Sequence, residues 1–218
     1  MKKDYEAAIF DFDYTLVDSS KAVIECISYA MNELGFPVKS AKTICKTIGL
    51  SLEETFITLA GQDANEGVQD FERFFKLKAD EVMVCLTNFY EYVPGVIKFL
   101  KKKGIKLAIV SNKKRYRIEA ILEKENLKDF FDLIVGSEDV SHNKPHPEGL
   151  LKAVEGLGIS IDKCMYVGDS MVDAKTAESA GVEFTAVLSG ETEKEEFEKA
   201  EVKRIINNLE QLPELLGY

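Results

Sequence analysis

The chain has 218 residues, with 28 Lys plus Arg against 38 Asp plus Glu, a net charge of −10, and 45% hydrophobic residues. That length suits one large domain or one domain with an insert, and the composition supports a hydrophobic core and excludes an intrinsically disordered chain. The negative charge argues against nucleic acid or an anionic membrane as partner, because binding a phosphate backbone needs clustered Lys and Arg.

Ala7-Ala8-Ile9-Phe10 is a short apolar run that leads into Asp11. Such a run predicts a strand buried on both faces, as in a parallel sheet. From about residue 19 to about residue 91 the pattern is helical only. Ala22, Val23, Cys26, Ile27, Ala30, Met31 and Leu34 form an apolar stripe, which Gly35 and Pro37 end. Ser51-Leu52-Glu53-Glu54 has the form of a capping box that opens a second helix. Phe71, Phe74, Phe75, Lys78 and Val82 continue at helical spacing, and the phenylalanines are expected in a helical core.

After that stretch, strand and helix alternate. Helices are expected over 95–103, 115–125, 147–157 and 173–180, and strands over 107–110, 133–135, 165–168 and 186–188. The basic residues 101–103 fall where a helix ends, which suits its dipole. The acidic stretch 191–201 reads as a solvated helix face. The expected architecture is α/β: a parallel-sheet core over 1–18 and 92–218, with a helical insert over 19–91. Cys26, Cys45, Cys85 and Cys164 have no paired spacing, which points to free thiols in a reducing compartment. The longest apolar run is 82–86 and no secretory apolar segment follows the first lysines, so the expected location is cytoplasmic.

In open parallel sheets, ligands bind beyond the carboxyl ends of the strands. Asp11, Asp13, Ser111 and Asp169 follow strands at once; Lys144 and Asp173 follow shortly after. Any one of these could be a turn former or a helix cap. The case for a site rests on the set. Asp11 and Asp13, two residues apart on an extended segment, point to one side. Such a pair repels and invites a cation. Mg²⁺ takes oxygen ligands and commonly uses one or two carboxylates plus a substrate phosphate. Lys144 and the metal would let an anionic nucleophile approach an anionic ester.

Asp11-Phe12-Asp13-Tyr14-Thr15-Leu16-Val17-Asp18-Ser19 resembles the first motif of the haloacid dehalogenase (HAD) superfamily, D-x-D-x-T-L. Ser111-Asn112 resembles the second motif, Lys144-Pro145-His146-Pro147 the third, and Gly168-Asp169-Ser170-Met171-Val172-Asp173 the fourth. The motifs occur in the family's order across the whole chain. The helical insert resembles the small cap of the phosphoglycolate phosphatase-like and phosphoglucomutase-like branches, and residues 47–54 resemble the cap segment of the phosphatase members.

The resemblance implies a Rossmann-like core with a helical cap and a Mg²⁺-dependent phosphatase acting on a small phosphorylated metabolite. Asp11 would be the nucleophile and Asp13 the general acid and base, with its main-chain carbonyl on the metal. Asp169 would ligate the metal. Asp173 would ligate it directly or through water, or orient Lys144. Ser111 and the amide of Asn112 would hold the phosphoryl oxygens, Lys144 would neutralise phosphate and nucleophile, and Thr15 would shape the first-motif loop beside the phosphate. The alternative is a phosphomutase of the β-phosphoglucomutase type, which returns the phosphoryl group to a sugar. Dehalogenase members lack the second carboxylate and the metal, whereas Asp13 is present. Receiver domains are about half this length and lack the insert. A monomer or homodimer is expected. Phosphoglycolate, a nucleoside monophosphate, pyrophosphate and a sugar phosphate all remain open as substrates.

Tyr14 departs from the family pattern, which commonly has glycine there. His142 and His146 flank Lys144, but Pro145 and Pro147 interrupt any helix that could align them, so exposed or structural histidines are expected.

Overall fold

The computed structural model describes residues 4–61 and 66–218. Two compact units emerge: residues 1–17 with 89–218, and residues 18–88.

The first unit is built on a six-stranded parallel sheet. Its strands are β1 (Ala7–Phe10), β4 (Lys106–Val110), β5 (Leu133–Val135), β6 (Cys164–Gly168), β7 (Glu183–Val187) and β8 (Ile205–Ile206). They lie in the order β5-β4-β1-β6-β7-β8. β1 is central, and its four residues have no exposed surface, as its unbroken apolar run requires. Ala7 pairs with Lys106 on one side and with Cys164 on the other, so β1, β4 and β6 end nearly level. The chain builds outward from β1 through β4 to β5, then returns to add β6, β7 and β8 on the other side. The reversal leaves a crevice at the carboxyl ends of β4, β1 and β6, which is where the candidate residues fall.

Helices α5 (Val93–Lys102), α6 (Arg115–Lys124), α7 (Glu148–Leu157) and α8 (Met171–Ala180) occupy the connections. One core cluster joins Ile9, Ala108, Val110, Leu150, Val154, Tyr166 and Ala177 from β1, β4, α7, β6 and α8. Lys101 and Lys102 end α5 as the dipole favours. In the acidic stretch, α9 (Lys194–Lys199) exposes its charges but buries Phe197 completely. β8 escaped the sequence reading because two isoleucines carry no periodicity. The chain ends in α10 (Leu212–Leu215).

The second unit is helical: α1 (Ser20–Glu33), α2 (Ala41–Cys45), α3 (Leu52–Ala60) and α4 (Val68–Leu86). The stripe expected on α1 is its buried face from Ala22 to Met31, while Leu34 follows the helix and is half-buried. The Ser51 capping box forms with both of its hydrogen bonds, between Glu54 N–H and Ser51 Oγ and between Ser51 N–H and Glu54 Oε2. Phe56 stacks on Phe71 with centroids 4.8 Å apart, and Phe36 and Phe75 extend the cluster. The helical stretch stops at Leu86, short of the expected 91, because Asn88–Phe89 forms the strand β3 and pairs with β2 (Val17–Asp18). All four cysteines are free thiols. Among the described residues, no helix is long and apolar enough to cross a membrane.

Candidate active site

The site grows from three strand ends. Asp11 follows β1, Ser111 follows β4 and Asp169 follows β6. The sheet register therefore brings residues more than fifty positions apart onto one rim. All three are buried, as are Asp13, Lys144 and Asp173.

Lys144 is the hub. Its ammonium donates to Asp11 Oδ1 at 2.7 Å, to Asp173 Oδ1 at 2.6 Å and to the Tyr166 hydroxyl at 3.2 Å. Buried charge of this kind survives only when paired and hydrogen-bonded. The loop carrying Lys144 is held by Asn112, which clamps its backbone in both directions. Lys144 N–H donates to Asn112 Oδ1 at 2.9 Å, and Asn112 Nδ2 donates to Lys144 O at 3.2 Å. The side chain of Asn112 thus positions the lysine, a task separate from the phosphate contact expected of its main-chain amide.

Asp173 is engaged at both oxygens. Oδ1 accepts from Lys144 and from Tyr166 OH at 2.8 Å; Oδ2 accepts from Ser170 in the capping box that opens α8. Gly168 makes room for it, since a Cβ there would lie 2.5 Å from Asp173 Cγ. Gly190 does the same for Asp169, where a Cβ would lie 2.0 Å from Oδ2. Thr15 donates to Asp169 Oδ1 at 3.1 Å, so its hydroxyl is set on a carboxylate.

Tyr166 and Lys113 are not among the residues that the sequence singles out. Tyr166 sits inside an apolar strand and reads as core filler, yet its hydroxyl joins the lysine network. Lys113 directly follows Ser111-Asn112; its ammonium pairs with Asp13 Oδ1 at 2.9 Å, with both side chains almost fully buried. Its place beside the second motif was the available signal. Ser111 Oγ accepts the Lys113 N–H at 3.2 Å, which leaves its own proton to donate.

Tyr14 takes φ +59°, the left-handed region that favours glycine. Its N–H donates to Val17 O at 2.8 Å, its carbonyl accepts from the Ser189 hydroxyl, and its ring is buried. The loop thus keeps the backbone a glycine would adopt, and hydrogen bonds on both sides hold the tyrosine in it.

Carboxylate oxygens of Asp11, Asp169 and Asp173 all lie within 4.8 Å of one another. Burial, then the charge of Asp173, pushes Asp11 up to about 7 despite the opposing Lys144. Burial, then Asp173 and Asp11, raises Asp169 well above the usual carboxylate range. For Lys144 burial works downward, but Asp11 and Asp173 outweigh it and hold the ammonium charged. A buried set of hard oxygen donors with surplus negative charge fits Mg²⁺. The Asp13 carboxylate stands apart from that set, on Lys113.

Known proteins agree with this architecture. The sequence profile of the haloacid dehalogenase-like hydrolase family matches residues 8–187. The chain is 32% identical to a phosphoglycolate phosphatase of Aquifex aeolicus over 182 residues, 84% of each chain. It is 32% identical to a pyrophosphatase PpaX of Bacillus mycoides over 179 residues, 82% of this chain and 81% of that one. A solved haloacid dehalogenase-like hydrolase from Bacteroides fragilis superposes with a TM-score of 0.92 at 40% identity, covering 95% of this chain and 99% of that one.

Proposed function

From the premise that the chain belongs to the haloacid dehalogenase-like hydrolases, we propose that it is a Mg²⁺-dependent phosphatase that hydrolyses a small phosphate monoester through an aspartyl phosphate. The observation that carries this reading is the buried Lys144 ammonium, 2.7 Å from Asp11 and 2.6 Å from Asp173, beside Asp169.

Asp11 is the nucleophile. Lys144 engages Oδ1, which leaves Oδ2 to attack phosphorus. The bond from phosphorus to the ester oxygen breaks, and Asp13 gives that oxygen a proton. In the second step Asp13 takes a proton from water as the water oxygen attacks phosphorus. The Asp11–phosphorus bond then breaks and inorganic phosphate leaves. Ser111 donates its hydroxyl, and Asn112 its main-chain amide, to the phosphoryl oxygens. Lys144 neutralises charge on phosphate and nucleophile. Asp173, hydrogen-bonded at both oxygens, orients Lys144 and would also reach the metal, directly or through water.

Asp11, Asp169 and the main-chain carbonyl of Asp13 would hold Mg²⁺, which supplies charge neutralisation at the phosphoryl group when bound. Thr15 fixes Asp169 for that task. Residues 18–88 would serve as the cap domain, with residues 48–51 selecting the leaving group. The cytoplasm is the proposed location, in line with the free thiols.

A panel of phosphoglycolate, pyrophosphate, nucleoside monophosphates and sugar phosphates, assayed with Mg²⁺ and with EDTA, tests the reading. Mg²⁺-dependent phosphate release that EDTA abolishes is expected. Turnover indifferent to EDTA overturns the metal assignment. Interconversion of sugar 1- and 6-phosphates without phosphate release would identify a mutase instead.

A further inference from the structure

We propose that His142, His146 and Glu148 form a second metal site, for a borderline transition-metal ion such as Zn²⁺ or Ni²⁺, and that its occupancy lowers the activity of the protein. This site shares no residue with the carboxylate cluster.

Ligand atoms of the three side chains all lie within 4.8 Å of one another. The imidazoles face each other, with centroids 4.6 Å apart and planes inclined by 35°. No helix is needed to align them, because the turn leading into α7 does so. Both rings remain exposed, as expected. His142 Nδ1 lies 3.3 Å from Glu148 Oε2. Metal bonds of about 2.0–2.1 Å set ligand–ligand edges of about 3.3–3.4 Å in a tetrahedron, so one edge is already in place.

The carboxylate is held ready. Glu148 opens α7, and its oxygens accept the N–H groups of Ser141 at 2.8 Å and of His142 at 3.0 Å. His146 Nδ1 accepts the Glu148 N–H at 3.3 Å, a long bond that a stronger ligand interaction displaces. Two imidazoles and one carboxylate suit Zn²⁺ or Ni²⁺ and disfavour Mg²⁺, whereas the buried all-carboxylate set has the opposite preference. Exposure leaves the fourth position to water.

The two histidines sit on either side of Lys144, two residues away in each direction, and Glu148 lies four residues beyond it. Without a metal, Lys144 already reaches Asp11 and Asp173 at short distances. Closing the His142–His146–Glu148 triangle from separations of up to 4.8 Å to a tetrahedral edge draws in both ends of this segment. That movement disturbs the lysine's geometry, and inhibition follows from the lost placement.

The test is isothermal titration of the untagged full chain with Zn²⁺ and with Ni²⁺. Wild type, Asp169→Asn, His142→Ala and His146→Ala are compared, with circular dichroism to check folding. One equivalent should bind wild type and Asp169→Asn alike, and each histidine variant should bind about tenfold or more weakly. Equal affinity in the histidine variants, or loss confined to Asp169→Asn, overturns the site. With any phosphate ester the protein turns over under Mg²⁺, added Zn²⁺ should inhibit wild type and spare His142→Ala. Equal inhibition of both overturns the coupling to Lys144, and the binding result stands whether or not such an ester is found.

Discussion

The two units bury different chemistry. Among the described residues, the α/β unit buries Asp11, Asp13, Arg117, Lys144, Asp169 and Asp173, whereas the polar side chains buried in the helical unit are the uncharged Ser19, Thr47, Thr55 and Thr87. The helical unit fills its interior with Phe56, Phe71, Phe75 and Met83. Charge is expensive to bury, and apolar rings gain by it. A unit that buries several carboxylates around one lysine is organised for chemistry at the expense of stability. A unit that buries phenylalanines is organised to hold its shape.

That contrast separates activity from stability, and variants can try to break it. The largest effect is expected at Asp11. Asp11→Asn should lower turnover by about 10⁴-fold or more, as loss of a nucleophile does. Its thermal midpoint should not fall, since Lys144 keeps Asp173 and one repelling carboxylate disappears. Near-normal phosphate release, or a large drop in midpoint, would erase the distinction.

Phe71→Ala reverses the pattern. Phe71 is fully buried and stacked on Phe56, so its removal should destabilise the protein by about 3–5 kcal/mol in urea denaturation. Turnover per folded molecule should change little when assayed well below the midpoint.

Asp13→Asn should slow hydrolysis by about 100-fold, the scale of lost general acid–base catalysis, and it removes the carboxylate charge that Lys113 pairs with. Rates within a factor of about three of wild type would remove Asp13 from the mechanism.

Tyr14→Gly pits two effects against each other. A non-glycine residue in the left-handed region costs roughly 1–2 kcal/mol, while burying a large ring gains roughly 1.5–3 kcal/mol. The net expectation is a loss of about 1 kcal/mol in thermal denaturation with activity retained. A stabilised variant would show that the ring contributes little where it lies.

The smallest effect concerns pH at the sheet edge. Burial pushes Asp132 up, but Lys101 at 2.6 Å and the Leu107 N–H at 2.8 Å outweigh it and hold the carboxyl below its usual range. A depressed folded-state value means the stabilisation is present above the unfolded value, about 3.9, and is lost as pH falls through the folded one. Water screens this partly exposed pair, so Asp132→Asn should lose about 0.5–1 kcal/mol at pH 7, and the difference should shrink steadily as pH falls below about 3.9. A difference that persists at low pH would point to a cause other than charge.

The site's contiguous motifs were legible because they are short strings tied to strand ends. Asp11, Ser111 and Asp169 each follow an apolar run, and the order of the runs already implied a common rim. Tyr166 and Lys113 were not legible. A tyrosine in an apolar strand looks like core until the sheet register aims its hydroxyl at Asp173, and Lys113 gains its meaning only from Asp13, a hundred residues earlier. The second side chain of the second motif shows the same limit: Asn112 was expected to act through its amide, and the fold also uses its side chain to hold Lys144.

Local chemistry therefore decided what could be read directly. Apolar runs specify buried strands, and a Ser-x-x-Glu string specifies a helix start through its own hydrogen bonds, as at Ser51. From these the α/β fold, the helical insert and the acidic strand ends follow by themselves. Partnership across the sheet did not follow. Which oxygen Lys144 grips, whether Asp173 is left open for a metal, and how two histidines meet without a helix all depend on distances between remote segments. Only closure of the tertiary structure sets those distances, because hydrogen bonds and ion pairs act over a few ångströms while sequence separation places no limit on who the neighbours are.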